Sequence, residues 1–128
     1  MNLELILVDD DKVVLVVLEK MIHKVNAAIN LTFFSSGKET LAHLNSISGQ
    51  VNSRFLMIDI NLKDMSCWDI LNELEARNDK CSKVILMTSS VSTSNTEIAK
   101  KYASVIGFFE KPILFENIHQ IFELIKKE

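Results

Sequence analysis

Two apolar runs in this chain end abruptly in acid. Leu5, Ile6, Leu7 and Val8 lead into Asp9, Asp10 and Asp11; Phe55, Leu56, Met57 and Ile58 lead into Asp59, with Asn61 and Asp64 close behind. Carboxylates gathered at such points repel one another and raise each other's pKa. A bound divalent cation removes that penalty, and donors made only of oxygen suit Mg²⁺, or Mn²⁺ in its place. Thr88 and Lys111 close two later apolar runs and add a hydroxyl and a positive charge. Carboxylates, a hard cation, a hydroxyl and a lysine together are suited to holding a phosphoryl group.

For these residues to meet, the apolar runs must be neighbouring strands. Short β-branched and aromatic runs recur at Leu5–Val8, Leu31–Phe34, Phe55–Ile58, Val84–Met87 and Val105–Phe109. Longer segments with helical spacing separate them. Three of these open with a capping-box pattern, Ser36 before Glu39, Ser66 before Asp69 and Ser94 before Glu97. Strands alternating with helices in this way imply an α/β fold with a parallel sheet covered on both faces. In such sheets ligands bind beyond the carboxyl ends of the strands. The acidic pair follows the first strand, Asp59 and Asn61 the third, Thr88 and Ser89 the fourth, and Lys111 and Pro112 the fifth. The second ends only in Ser35, Ser36 and Gly37. A single Asp after a strand is usually a turn or helix N-cap residue, and Asp11 reads as an N-cap. The ordered set of four is what points to a site.

The first helix is expected over Asp11 to Val25. Its VVLVVL segment could be a strand, but Val14, Val17, Leu18, Met21 and Val25 share one helical face. Glu19, Lys20, His23 and Lys24 fall on the other. Val13 and Val16 land among those charges, either as scattered surface residues or as a small docking patch.

The length of 128 residues fits one domain, 1–128. The net charge of −3 gives no support to a nucleic-acid or anionic-membrane partner. No apolar stretch is long enough to span a membrane, and the N-terminus lacks the basic start and cleavage site of a signal peptide. Cys67 and Cys81 have no metal-ligand spacing and read as reduced thiols of a cytoplasmic protein. His23, His43 and His119 are far apart in sequence and read as surface residues.

The whole chain, from LILVDDD to LIKKE, resembles a receiver domain of two-component response regulators, of the stand-alone, chemotaxis-regulator-like type. The resemblance implies a flavodoxin-like, doubly wound, five-stranded parallel sheet of order 2-1-3-4-5 with five flanking helices. It implies that Asp59 accepts a phosphoryl group from a phosphohistidine on a sensor histidine kinase or histidine phosphotransfer protein. Asp10 would ligate Mg²⁺ directly, Asp9 mainly through water, and Asn61 through its backbone carbonyl. Thr88 and Lys111 would be the switch hydroxyl and phosphate-binding lysine, and Phe108 the switch aromatic. Asn61 and Ser90 match positions that tune phosphoryl lifetime. The Lys111–Pro112 bond would be cis. A downstream protein target, unidentified, would read the face made by the fourth helix, fifth strand and fifth helix, near Tyr102. Such a domain catalyses only its own phosphorylation and dephosphorylation. The sequence departs from the family pattern where Lys63 replaces a proline, Cys67 a glycine and Ile113 a phenylalanine.

Other readings compete. The chain could be the receiver portion of a longer regulator with a DNA-binding or enzymatic output domain; its end at Lys126, Lys127 and Glu128 without a linker favours the stand-alone form. A receiver that never takes phosphate is disfavoured by the complete motif set. A phosphatase of the haloacid-dehalogenase type also uses a nucleophilic Asp after a strand, but needs a second Asp where this chain has Asn61. A flavodoxin-like binding module leaves the acidic cluster without a purpose.

Overall fold

A computed structural model describes residues 3–47, 53–89 and 92–128. Five strands alternate with five helices: β1 Leu3–Val8, α1 Lys12–Val25, β2 Asn30–Phe34, α2 Gly37–Ser46, β3 Ser53–Asp59, α3 Cys67–Ala76, β4 Ser82–Thr88, α4 Thr93–Ala99, β5 Val105–Glu110 and α5 Phe115–Lys126. The strands form one parallel sheet in the order β2-β1-β3-β4-β5. Alternate residues of each buried strand feed two separate cores, as the period of two requires. Leu5, Leu7, Met57, Ile85 and Met87 face α1 and α5; Ile6, Val8, Leu56, Ile58, Val84 and Leu86 face α2, α3 and α4.

Each expected strand is present and one or two residues longer at one or both ends. Asp11 caps α1 as expected, its side chain accepting from the Val13 N–H at 3.0 Å. Ser36 caps α2, and Ser66 with Asp69 opens α3. The cap of α4 differs from expectation: Ser92, not Ser94, accepts from the Asn95 N–H, which starts the helix two residues earlier. The buried face of α1 also differs. Leu15, Leu18 and Ile22 point into the core, Val14, Met21 and Val25 flank them, and Val17 is 47% exposed. The helix is apolar on nearly all sides over its first two turns, so its rotation is set by what packs on it. The sheet and α5 take the longer Leu15 and Ile22.

The amino edge of the sheet is closed by a buried polar network. Arg54, at the start of β3, donates through Nη2 to Asp79 Oδ2 at 3.3 Å and through Nε to Ser82 Oγ at 3.3 Å. Asp79 also accepts from the Cys81 and Ser82 amides and the Ser82 hydroxyl. Burial works to raise the Asp79 pKa, but these donors and the Arg54 charge outweigh it and hold it below the usual carboxylate value. The carboxylate thus stabilises the fold above its unfolded pKa, and that contribution is lost as pH falls through the lowered folded value. Asp79→Ala should cost about 3–5 kcal/mol at neutral pH, because Arg54 is left buried and unpaired. Urea denaturation of both proteins from neutral to strongly acidic pH checks this; the deficit should narrow in acid.

Candidate functional site

β1 and β3 are direct neighbours in register, so the residues that follow them emerge side by side. Asp9 is fully buried, Asp59 nearly so, and Asp10 stands half-exposed at the mouth. One carboxylate oxygen from each of the three lies within 4.8 Å of the others. Lys111 directly follows the edge strand β5, two places from β3. Its main-chain N–H donates to the Thr88 carbonyl at 2.6 Å. Its Nζ then reaches inward to Asp9 Oδ2 at 2.8 Å and Asp59 Oδ2 at 3.2 Å.

Backbone amides fix the carboxylates from the other side. The Asp11 N–H donates to Asp9 Oδ1 at 2.9 Å, the Asn61 N–H to Asp59 Oδ1 at 3.1 Å, and the Lys63 N–H to Asp10 Oδ2 at 3.0 Å. Burial pushes the Asp59 carboxyl above its usual pKa and the negative charge of Asp9 adds to this. The Asn61 amide and Lys111 oppose the rise without cancelling it. Burial alone would lower Lys111, but hydrogen bonds and charge from Asp9 and Asp59 leave it above the usual lysine value. Lys111 is therefore a fixed ammonium at neutral pH. Three clustered carboxylates face this one cation, and all their donor atoms are hard oxygens. That chemistry fits a small divalent cation.

Asp9, Asp10, Asp59 and Lys111 therefore meet. Thr88 is buried at the end of β4, paired with Glu110, and Asn61 flanks Asp59 with its side chain exposed. Phe108 stands on the face of β5 toward α3 and α4, half-buried in the core that Trp68 and Tyr102 also cover. Tyr102 stacks on Trp68 with ring centroids 6.0 Å apart and donates its hydroxyl to Asn72 Oδ1 at 2.8 Å. The Lys111–Pro112 bond is cis. Ser90 lies outside the described residues. Cys67 is fully buried, and burial first, then the charges of Asp59 and Asp69, push its thiol up to about 12. It is no nucleophile.

Sequence reasoning missed two contributors, the Lys63 N–H on Asp10 and the Asp64 side chain. Asp64 Oδ1 accepts from the Gly37 N–H and Oδ2 from the Lys38 N–H, each at 2.9 Å. The only sequence signal was an unexplained Asp in the loop after β3.

The model of the response regulator receiver domain matches residues 5–123. The chain belongs to that family. Among solved structures, this receiver domain is similar to a two-component response regulator from Legionella pneumophila, at TM-score 0.85 and 18% identity, over 99% of this chain and 100% of that one. It is likewise similar to a two-component response regulator from Cytophaga hutchinsonii, at TM-score 0.86 and 20% identity, over 99% and 98%. A CheY-like response regulator receiver domain protein from Methanospirillum hungatei aligns over 100% of both chains at TM-score 0.75 and 19% identity. These likenesses show a shared fold. Comparison with curated proteins gave no match. Membership of the receiver family does not favour the haloacid-dehalogenase or flavodoxin-like alternatives. No helix among the described residues is long and apolar enough to cross a membrane.

Because the folded-state pKa of Asp59 is raised, ionising this carboxyl removes stability as pH rises through that value. Lys111 keeps its nearer partner, Asp9, when the Asp59 charge is deleted. Asp59→Asn should therefore raise the urea midpoint at neutral pH in a divalent-free buffer. The advantage should shrink as pH falls below the carboxylate range. An equal or lower midpoint at neutral pH would contradict this account.

Proposed function

We propose that this receiver domain takes a phosphoryl group onto Asp59 from a phosphohistidine of a sensor histidine kinase or histidine phosphotransfer protein. The observation that carries this reading is Lys111 Nζ lying between Asp9 Oδ2 and Asp59 Oδ2, beside a cluster of three carboxylates. A structural ion pair would need only one of those acids.

In the proposed reaction an Asp59 carboxylate oxygen attacks phosphorus in line. The bond from phosphorus to the histidine nitrogen breaks, that nitrogen keeps the electron pair, and an acyl phosphate forms on Asp59. Lys111, already an oriented ammonium, stabilises charge on the phosphoryl oxygens. Asp10, Asp59 and the Asn61 carbonyl would hold Mg²⁺, or Mn²⁺, with Asp9 behind them. Asp9 is fully buried behind the half-exposed Asp10, which supports its indirect role. Bound there, the ion supplies further neutralisation of phosphoryl charge.

The Thr88 hydroxyl would turn to the new phosphoryl group, and Phe108 would move inward behind it. The surface of α4, β5 and α5 would carry the change to a protein target. Asn61 and Ser90 would flank the path of the hydrolytic water. Such a domain would act in the cytoplasm, as its donors do, and would turn over no substrate but its own aspartyl phosphate.

The donor would meet an apolar surface on its approach. The large apolar side chains exposed among the described residues are Val13, Val16 and Val17, Phe33, and Leu114 and Phe115. They sit near the start of α1, the end of β2 and the start of α5, element ends that lie at the carboxyl edge of the parallel sheet. This favours the docking-patch reading of Val13 and Val16.

With Mg²⁺ and acetyl phosphate the native chain should gain one phosphoryl mass, labile in base, and Asp59→Asn should gain none. Equal labelling of that variant would sink the assignment. Lys111→Met should slow labelling about a hundredfold or more, as loss of an oriented charge donor does elsewhere. Val16→Glu should label normally with acetyl phosphate yet slow transfer from a phosphorylated histidine phosphotransfer protein that labels the native chain. Unchanged transfer would remove α1 from the donor's footprint.

A further inference from the structure

The loop from Asn61 to Ser66 departs from the family pattern where a proline is usual, and the structure supplies a reason for the residue found there. Proline has no N–H. Lys63 has one, and it donates to Asp10 Oδ2 at 3.0 Å. The chain thus has a hydrogen bond to a site carboxylate that a proline could not make.

A loop without proline also lacks that ring's restraint on φ. Asp64 holds this loop to a different element. A helix begins with amides that have no partner within it, and α2 begins with those of Gly37, Lys38 and Glu39. Ser36 Oγ takes the Glu39 N–H at 3.1 Å. Asp64, from across the sheet edge, takes the Gly37 and Lys38 amides, one with each oxygen. The Gly37 bond is the leading cause that lowers its pKa, and the positive end of the helix suits its charge. Met65 seals the join. A Cβ on Gly37 would stand 2.4 Å from Met65 Cγ and 2.6 Å from Sδ, so the Met65 side chain packs directly on the first turn of α2. The loop is closed at its base by the Cys67 N–H on the Ile60 carbonyl. Lys63 is therefore held between an anchor at Asp64 and the amide–carboxylate contact at Asn61 and Asp59.

We propose that Asp64 is a positioning residue of the phosphoryl site: by clamping the β3–α3 loop onto the first turn of α2, it sets the Lys63 N–H on Asp10 and so orients that carboxylate toward a divalent cation. This rests on the function proposed above for the cation, and its test separates the two. In metal-free protein, Asp64→Ala should speed exchange of the Lys63 amide and shift its NMR signal, as well as those of Gly37 and Lys38. By calorimetry it should weaken Mg²⁺ binding about tenfold, the low end of what loss of an outer partner of a metal ligand costs. Lys63→Pro should weaken Mg²⁺ similarly, and the double variant should be no worse than either single one, since both break one chain of contacts. Ser36→Ala is the control. It removes an α2 cap of the same kind without touching the loop, so it should lower stability yet leave the Lys63 amide and Mg²⁺ binding as in the native chain. If Asp64→Ala disturbs only Gly37 and Lys38, or if Ser36→Ala reproduces both effects, Asp64 is merely a helix cap. Failure of the native chain to accept a phosphoryl group would overturn the functional reading instead, while the amide measurements, made without metal, would still decide the role of Asp64.

Discussion

Three carboxylates, with one oxygen of each within 4.8 Å of the others, two of them buried and answered among the described residues by the Lys111 ammonium, are the constraint on which the rest of this structure turns. Such a cluster cannot be placed in a core. It can exist only where strands leave a core, and only where adjacent strands leave it together. The order β2-β1-β3-β4-β5 provides this by setting β1 and β3 side by side. The counter-charge must then come from elsewhere, because a lysine on β1 or β3 would itself need burial. It comes from just after β5, about two interstrand spacings of roughly 4.8 Å away from β3. Lysine's four-carbon stem spans that gap and delivers its charge at the end, against Asp9 and Asp59.

The two ends of β3 make an informative pair. At its start Arg54 meets Asp79 in a buried, nearly balanced arrangement that the seven-residue strands β3 and β4 hold in place. At its finish Asp59 sits among like charges and remains short of cation. Matched charge at one edge makes a base that need not move. Unmatched charge at the other leaves a free-energy gradient toward any ligand that brings positive charge, or toward a reaction that redistributes the negative.

Much of this was legible in the sequence, and what was not has a common physical cause. The strands announce themselves because buried parallel strands must be apolar on both faces. The site residues announce themselves because polar groups can follow such strands only at an edge. Asp9, Asp10, Asp59 and Lys111 were all legible in that way. The rotation of α1 was not, because a helix with valine on most sides offers no internal signal to choose Leu15 and Ile22 over Val17. The start of α4 was not, because Ser92 and Ser94 are equally good caps and three-dimensional context selects between them. The grip of Asp64 on α2 was illegible for a stronger reason: its partners are backbone amides 26 and 27 residues away, and an amide carries no sequence label.

The chain contains one tryptophan and one tyrosine, and they are stacked on each other with planes 15° apart at the seam between α3 and the loop entering β5. Almost all near-ultraviolet absorption, circular dichroism and emission of the protein therefore originates at a single point. That point borders the same core that holds Phe108. Optical signals from most proteins average over many chromophores; here any spectral change already has an address, and the seam between α3 and β5 can be watched in the unlabelled molecule.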